Sequence, residues 1–256
     1  MADFRILKAF NATDLRAYAG AKARIGRHAL PHFSGDSMPE RVVRALARAR
    51  ALPIKEVAEA FEFFAIVRRH LRRAPCLADL CCGHGLAGLL FAIFERQTEE
   101  VVLWDKRRPP NFEPVLDACT EVAPWIQSKV RYVEAPLERI VGSLPAGTAT
   151  LSVHACGKLT DRALEVGVRL GGPLAAMPCC RDHTHSAAPP GLREALGEDV
   201  AYDVARTYRL EEQGYQVRWR EIAEEITPMN RVLIGVPRTG TGAAASGRLK
   251  ALKEQR

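Results

Sequence analysis

The chain has 256 residues, 47% hydrophobic and 26% charged, a balance that supports a packed core and excludes a compositionally disordered protein. Its longest apolar run, Leu86 to Phe94, is nine residues, short of the ~20 that cross a bilayer, and the start at Met1 lacks the basic-then-apolar pattern of a leader, so the chain reads as cytosolic. The net charge of +7 is uneven: residues 1–75 carry 15 Lys and Arg against 7 Asp and Glu, residues 76–236 sum to −5, and residues 237–256 add +4.

A basic extension on a mildly acidic domain points to an anionic partner, nucleic acid first; a solvated helical face followed by a disordered basic tail is the other reading. The seven cysteines include the adjacent pairs Cys81-Cys82 and Cys179-Cys180, unlike the disulfide framework of a small secreted domain.

Residues 3–73 are poor in Gly and rich in Ala, Leu and Arg, and Val42, Val43 and Leu46, then Val57, Phe61, Phe64 and Val67, recur at helical spacing. Pro31 to Ser37 breaks this pattern as a loop, with Asp36 or Ser37 placed to cap the next helix and Pro39 in its first turn. The cluster Arg68-Arg69-His70-Leu71-Arg72-Arg73 suits a helix C-terminus, where the dipole favours cations. From residue 76 short apolar runs alternate with helical stretches, the pattern of a parallel sheet. Strands are expected at Cys76–Leu80, Val101–Trp104, Val130–Val133, Thr150–His154, Leu174–Met177, Tyr215–Ile222 and Arg231–Val236. Helices are expected at Leu86–Glu95, Pro114–Ser128, Asp161–Leu170 and Leu192–Gln213. The last two strands follow one another as an antiparallel hairpin would. The organisation is thus a helical basic segment over 1–73, a Rossmann-like domain with a mostly parallel seven-stranded sheet over 74–237, and a disordered basic tail over 238–256.

The most informative block is Asp79-Leu80-Cys81-Cys82-Gly83-His84-Gly85. A strand hands over to a helix through a Gly-x-Gly turn, where glycine permits the torsions and the missing side chains let a ligand approach the backbone. Asp79 stands four residues before the first glycine, and an acid there suits an ammonium better than a pyrophosphate. The next strand, Val101 to Trp104, ends on Asp105, placed to accept both ribose hydroxyls of a nucleoside.

This block resembles motif I of the class I, seven-stranded S-adenosylmethionine (SAM)-dependent methyltransferases. The resemblance implies that Asp79, Cys81, Gly83 and Gly85 line the methionine part of SAM and that Asp105 holds the ribose. Where members carry an acid near the adenine amino group this chain has Pro136, which leaves Glu134 and backbone groups near Ala135 or Leu137 for the adenine.

Two more blocks follow strands: His154-Ala155-Cys156-Gly157-Lys158-Leu159-Thr160-Asp161 and Pro178-Cys179-Cys180-Arg181-Asp182-His183. In a parallel sheet such ends face one crevice, so His154, Cys156, Cys179, Cys180 and His183 are candidates to converge beside the transferred methyl group. The blocks resemble the methyltransferase domain 32 branch, and a eukaryotic tRNA ribose methyltransferase family has a similar pair. His154 has the ordinary pKa of a base near neutrality, and orienting its loop is the alternative. Asp161 reads as a cap of the helix that follows it. Cys156, Cys179, Cys180 and His183 are soft ligands, but adjacent Cys-Cys is poor chelate spacing and no metal is assigned. The sequence thus suggests a SAM-dependent methyltransferase acting on RNA through the basic segment. A methyltransferase for protein or a small molecule, and a non-catalytic SAM- or nucleotide-binding scaffold, are the alternatives.

Overall fold

The computed structural model describes residues 3–153, 155, 157–178 and 188–238. Seven strands form one sheet: β1 (Cys76–Leu80), β2 (Glu100–Asp105), β3 (Val130–Glu134), β4 (Ala149–Ser152), β5 (Leu174–Ala176), β6 (Tyr215–Glu221) and β7 (Arg231–Pro237). Their order is β3-β2-β1-β4-β5-β7-β6. All neighbours are parallel except β7, which runs antiparallel to both β5 and β6. The expected terminal hairpin is therefore present, with β7 inserted between β5 and β6 and β6 left as the edge.

The inner strands are apolar on both sides because helices cover both faces. On β1, Leu77 joins one buried cluster while Cys76, Ala78 and Leu80 join another; on β2, Val101 and Leu103 separate from Val102 and Trp104 in the same way. The first face is packed by α2 (Met38–Ala49), α3 (Ile54–Leu71), α4 (Leu86–Phe94) and α5 (Phe112–Val122). The second carries α6 (Lys158–Leu170) and α8 (Glu198–Glu212). The first cluster runs without interruption from Phe4, Phe10 and Phe33 through Phe61 and Phe64 to Phe91 and Ile234.

Local departures from the sequence reading have identifiable causes. Before α2 the helical segment is mostly short 3₁₀ turns at Lys8–Asn11, Ala17–Gly20 and Arg27–Phe33, joined by the four-residue α1 (Thr13–Arg16). Pro31 lies within the third of these turns, so the expected loop narrows to the residues just before Met38. Ser37 is the N-cap of α2, and its hydroxyl donates to Glu40 Oε2 at 2.7 Å. The helix expected over Pro114–Ser128 stops at Val122, and Pro124 opens a separate 3₁₀ turn. The helix expected over Leu192–Gln213 is two, α7 (Pro190–Leu196) and α8, divided at Gly197 with φ +73°.

Asp161 is not a cap. The N-cap of α6 is Gly157, and the Asp161 carboxylate takes two bonds from Arg206, Nε to Oδ1 at 3.1 Å and Nη2 to Oδ2 at 3.2 Å. Arg206 also reaches Asp203 at 3.0 Å, Arg231 of β7 reaches the other Asp203 oxygen at 2.8 Å, and Arg209 adds a contact to Asp161 at 2.6 Å. Burial pushes the Asp161 pKa up, but the two guanidinium groups outweigh it and hold the carboxyl below its ordinary value. Thr160, in the same turn of α6, donates to the Ala155 carbonyl at 2.5 Å. The network thus locks the loop after β4 to α8 and β7. No helix among the described residues is long and apolar enough to cross a membrane.

Arg206→Met is expected to cost roughly 2–3 kcal/mol in urea unfolding, less than the ~3–5 kcal/mol of a fully broken buried pair because Arg209 and Arg231 still hold the carboxylates. A loss under about 0.5 kcal/mol, the range of an exposed pair, would show the network to be solvent-screened.

Candidate functional site

Strand alternation and register decide which acids meet. Asp79 shares the parity of Leu77, and Asp105 that of Val101 and Leu103, so both point toward the face that carries α4. Asp79 pairs with Leu103 across the parallel ladder, and Asp105 lies two residues further on. Between them passes the turn from Cys81 to Gly85, in which Cys81, Gly83 and Gly85 take positive φ values of 55°, 52° and 73°. Cys81 adopts the left-handed conformation without being glycine, at a cost of ~1–2 kcal/mol, the kind of local strain that collects at functional turns.

The turn is bound to the next strand by a hydrogen bond from Gly83 N–H to Asp105 Oδ2 at 2.8 Å. Cys82 N–H adds a second tie to the Trp104 carbonyl at 3.3 Å. The Tyr132 hydroxyl sits between the carbonyls of Gly83 and Arg107, at 3.1 and 3.2 Å, and shares its single proton across them. The glycines play different parts. A Cβ on Gly83 would meet nothing within 4 Å, so its face is open to a ligand. A Cβ on Gly85 would lie 2.7 Å from Leu103 Cδ1 and one on Gly88 2.6 Å from Leu103 Cδ2. At both positions the missing Cβ makes room for the Leu103 side chain of β2 in the close packing of helix on strand.

The N-terminus of α4 is capped by two side chains that precede it, one from the end of β1 and one from the turn. Asp79 Oδ2 accepts from Gly88 N–H at 2.9 Å, and His84 Nδ1 accepts from Leu86 N–H at 3.2 Å. With Nδ1 accepting, the His84 ring proton is on Nε2, which faces Glu56 Oε2 of α3 at 3.1 Å. Burial raises the Asp79 carboxyl to about 8, against the downward pull of the Gly88 bond, and the charge of Asp105 adds to the rise. Burial also lifts the Cys82 thiol well above its ordinary value, with Asp79 adding to it, so Cys82 stays protonated.

A small opening, with room for little more than a water molecule, is lined by Asp79, Cys81, Cys82, His84, Ala87, Val153 of the chain after β4, and Ala60 of α3. It lies beside the switch point where β1 has β2 on one side and β4 on the other, the usual ligand crevice of an open parallel sheet. Past β3, Ala135 N–H is already bonded to the Asp105 carbonyl at 2.9 Å, and the Pro136 carbonyl accepts from Trp104 Nε1 at 3.3 Å. Glu134 accepts from Arg108 N–H at 2.7 Å. Leu137 is buried on the opposite face with Trp104 and opens a 3₁₀ turn, Leu137–Arg139.

The structure therefore gathers Asp79, Cys81, Gly83 and Asp105 around one turn and gives Gly85, Glu134 and the Ala135 amide internal partners. His154, Cys156, Cys179, Cys180 and His183 lie outside the described residues, as does 239–256 of the tail. Sequence reasoning missed His84, Glu56, Tyr132 and Ala60. Only His84 carried a signal, as the middle residue of Gly-x-Gly; the others come to the site from distant segments.

No family model and no curated protein matches the chain. Solved structures of similar trace include a putative rRNA methylase from Clostridium thermocellum, 11% identical over 69% of this chain and 94% of that one, with TM-score 0.47. Another is a SAM-dependent methyltransferase from Aquifex aeolicus, 16% identical over 77% and 97%, with TM-score 0.44. A third is magnesium protoporphyrin IX methyltransferase from Synechocystis PCC 6803, 13% identical over 90% and 96%, with TM-score 0.40. By strand order and its one reversed strand, the domain has a Rossmann-like fold built on a mostly parallel seven-stranded sheet.

The raised Asp79 pKa has a signed consequence. The folded state holds this proton between about pH 4 and pH 8 while the unfolded chain releases it, so the contribution is full below about 4 and lost as pH rises through about 8. Asp79→Asn is expected to match the parent in thermal unfolding at pH 5 and to exceed it by about 1–3 kcal/mol at pH 8.5. Parallel pH profiles for the two proteins would place an ordinary, ionised carboxylate at Asp79.

Proposed function

We propose that this chain is a SAM-dependent methyltransferase and that its substrate is RNA. The observation that carries the cofactor reading is the pair of carboxylates, Asp79 and Asp105, flanking a turn whose Gly83 face is open. Asp79 holds its proton to about pH 8 in the empty site and can release it to meet an arriving cation, whereas a pyrophosphate would gain nothing from either acid, which separates this site from a dinucleotide turn of similar outline. The residues fit SAM: Asp79 has one oxygen bonded to Gly88 and the other available for the ammonium. Asp105, with Oδ2 already bonded to Gly83, has lone pairs left for ribose hydroxyls. Since Ala135 N–H is occupied and Pro136 has none, the adenine edge falls to the first amides of the turn at Leu137.

Bound there, SAM would supply an electrophilic methyl group carried on a sulfonium sulfur. The chain's part is to hold the substrate in line with that methyl group and to take up the substrate's proton. Val153 lines the pocket, which puts the end of β4 beside the methionine site. His154, next in sequence, is the proposed base, and Cys156, Cys179, Cys180 and His183 are the further candidate residues for the substrate. The basic segment 1–75 supports RNA as the substrate. A compact substrate is the second reading, favoured by the small pocket and by Ala60 of α3 in its wall.

Asp105→Ala is expected to weaken SAM binding by 10- to 100-fold in calorimetry, roughly 1.4–2.8 kcal/mol, with no gain of NAD binding. Unchanged affinity would remove Asp105 from the site. RNA binding by the parent should fall steeply between low and moderate salt; a flat response, or a +14 mass shift lost from protein or a metabolite rather than RNA on deletion, would favour the second reading.

A further inference from the structure

The basic character of the N-terminal segment is not spread evenly over its surface. Arg5 pairs with Glu62, Arg16 with Glu225, Arg48 with Glu121 and Arg68 with Glu95. Arg24 is bonded to the carbonyls of Arg50 and Ala51, and Arg44 to those of Phe33 and Gly35. These six side chains hold the segment to itself and to the sheet domain, so the surplus charge at 1–75 overstates what the segment offers a ligand.

A different set is open. Arg69 stands on the last turn of α3, and Arg218 and Arg220 stand on β6, the edge strand, 149 and 151 positions further along the chain. All three are exposed, and no carboxylate pairs with any of them among the described residues. α3 packs against β7, the neighbour of β6, on the sheet face opposite α8, the same side to which Arg218 and Arg220 point; half-buried His70 lies within reach of all three charges, its pKa lowered by burial first and then by Arg69, Arg218 and Arg220. The neutral ring accepts from Arg69 Nε at 2.9 Å. Arg218 is steadied by Gln216 Oε1 at 3.3 Å and Arg220 by the Trp219 carbonyl at 2.7 Å. Arg218 and Arg220 share one side of the strand, while Val217 packs on the other beside α8, so β6 presents both guanidinium groups together. Each arm is oriented by one internal bond and keeps most of its five donors for an external acceptor. Three like charges gathered without a counter-charge repel one another until an anion arrives.

We propose that Arg69, Arg218 and Arg220 form the surface on which the phosphodiester backbone of the substrate RNA docks. The proposal rests on RNA being the substrate and assigns the docking surface to the junction of α3 with the edge strand rather than to the N-terminal segment as a whole. Guanidinium forks match phosphate oxygens two at a time, which suits arginine at all three positions.

The test uses the full chain, a fluorescein-labelled RNA hairpin in anisotropy titrations, and SAM in calorimetry. The triple Arg69→Ala, Arg218→Ala, Arg220→Ala is expected to weaken hairpin binding at least tenfold at low salt. It should also flatten the log–log salt dependence by about 2–3 units, with SAM affinity within twofold of the parent. A control that removes the same charge elsewhere in the segment, Lys22→Ala, Arg27→Ala, Arg41→Ala, should lose less than threefold. If the triple fails to fold, Arg218→Gln alone decides: a threefold or larger loss supports the surface, and no change overturns it. Equal losses in triple and control, or hairpin binding displaced as well by poly-glutamate as by unlabelled RNA, also overturn it. A parent that binds the hairpin through these residues but takes no SAM keeps the surface and sinks the methyltransferase reading. A parent that takes SAM and no RNA does the reverse.

Discussion

The hydrogen bond from Gly83 N–H to the Asp105 carboxylate is the constraint around which the site is arranged. It joins the turn after β1 to the end of β2, so the room above Gly83 and the acid at the strand end keep a fixed separation. Tyr132 braces the same turn from β3, and Cys82 N–H ties it to Trp104. Three adjacent strands thus hold a five-residue turn that contains three left-handed residues, one of them Cys81. Strain of that kind persists where the surroundings over-determine the backbone, as these bonds do here.

The electrostatics of the crevice follow from placing two acids around that turn. Asp79 is buried, bonded to Gly88 and close to a second carboxyl, so its proton is held to about pH 8. A cationic ligand group would relieve both the desolvation and the repulsion, whereas a phosphate would aggravate them. The same carboxyl caps α4, so stabilising the helix and tuning the site are two consequences of one placement.

The N-terminal segment is part of the domain's construction. Residues 21–25 run alongside the start of α3, with Ile25 N–H bonded to the Leu52 carbonyl and Ile54 N–H to that of Ala23. Gly20 fits against the Glu225 carbonyl so closely that a Cβ would lie 2.3 Å from it, and Arg16 pairs with Glu225 itself. Glu56 meets His84 in the glycine turn and Ala60 lines the pocket, so the segment closes the first face of the sheet while reaching the site. Its arginines serve mainly as internal ties, and the open cations lie where it meets β6.

By itself the sequence determined the seven strands, the turn at Gly83 and the acids at Asp79 and Asp105, because each depends on short-range patterns: alternation within a strand, apolar spacing along a helix, glycine where φ must be positive. β1 begins and ends where alternation placed it, and the other strands shift by a residue or two at their ends. Two long helices were misjudged because periodicity continues across Pro124 and Gly197 while the backbone does not. Only the tertiary structure decided that Asp161 binds Arg206 rather than capping α6, that Gly85 makes room for Leu103, and that Ala60 and His84 share a wall with Asp79. It also decided that α3, near the start of the chain, packs against β7 beside the edge strand β6 near its end. Contacts of this kind depend on how helices settle on the sheet, and no local pattern encodes which distant side chain will stand opposite.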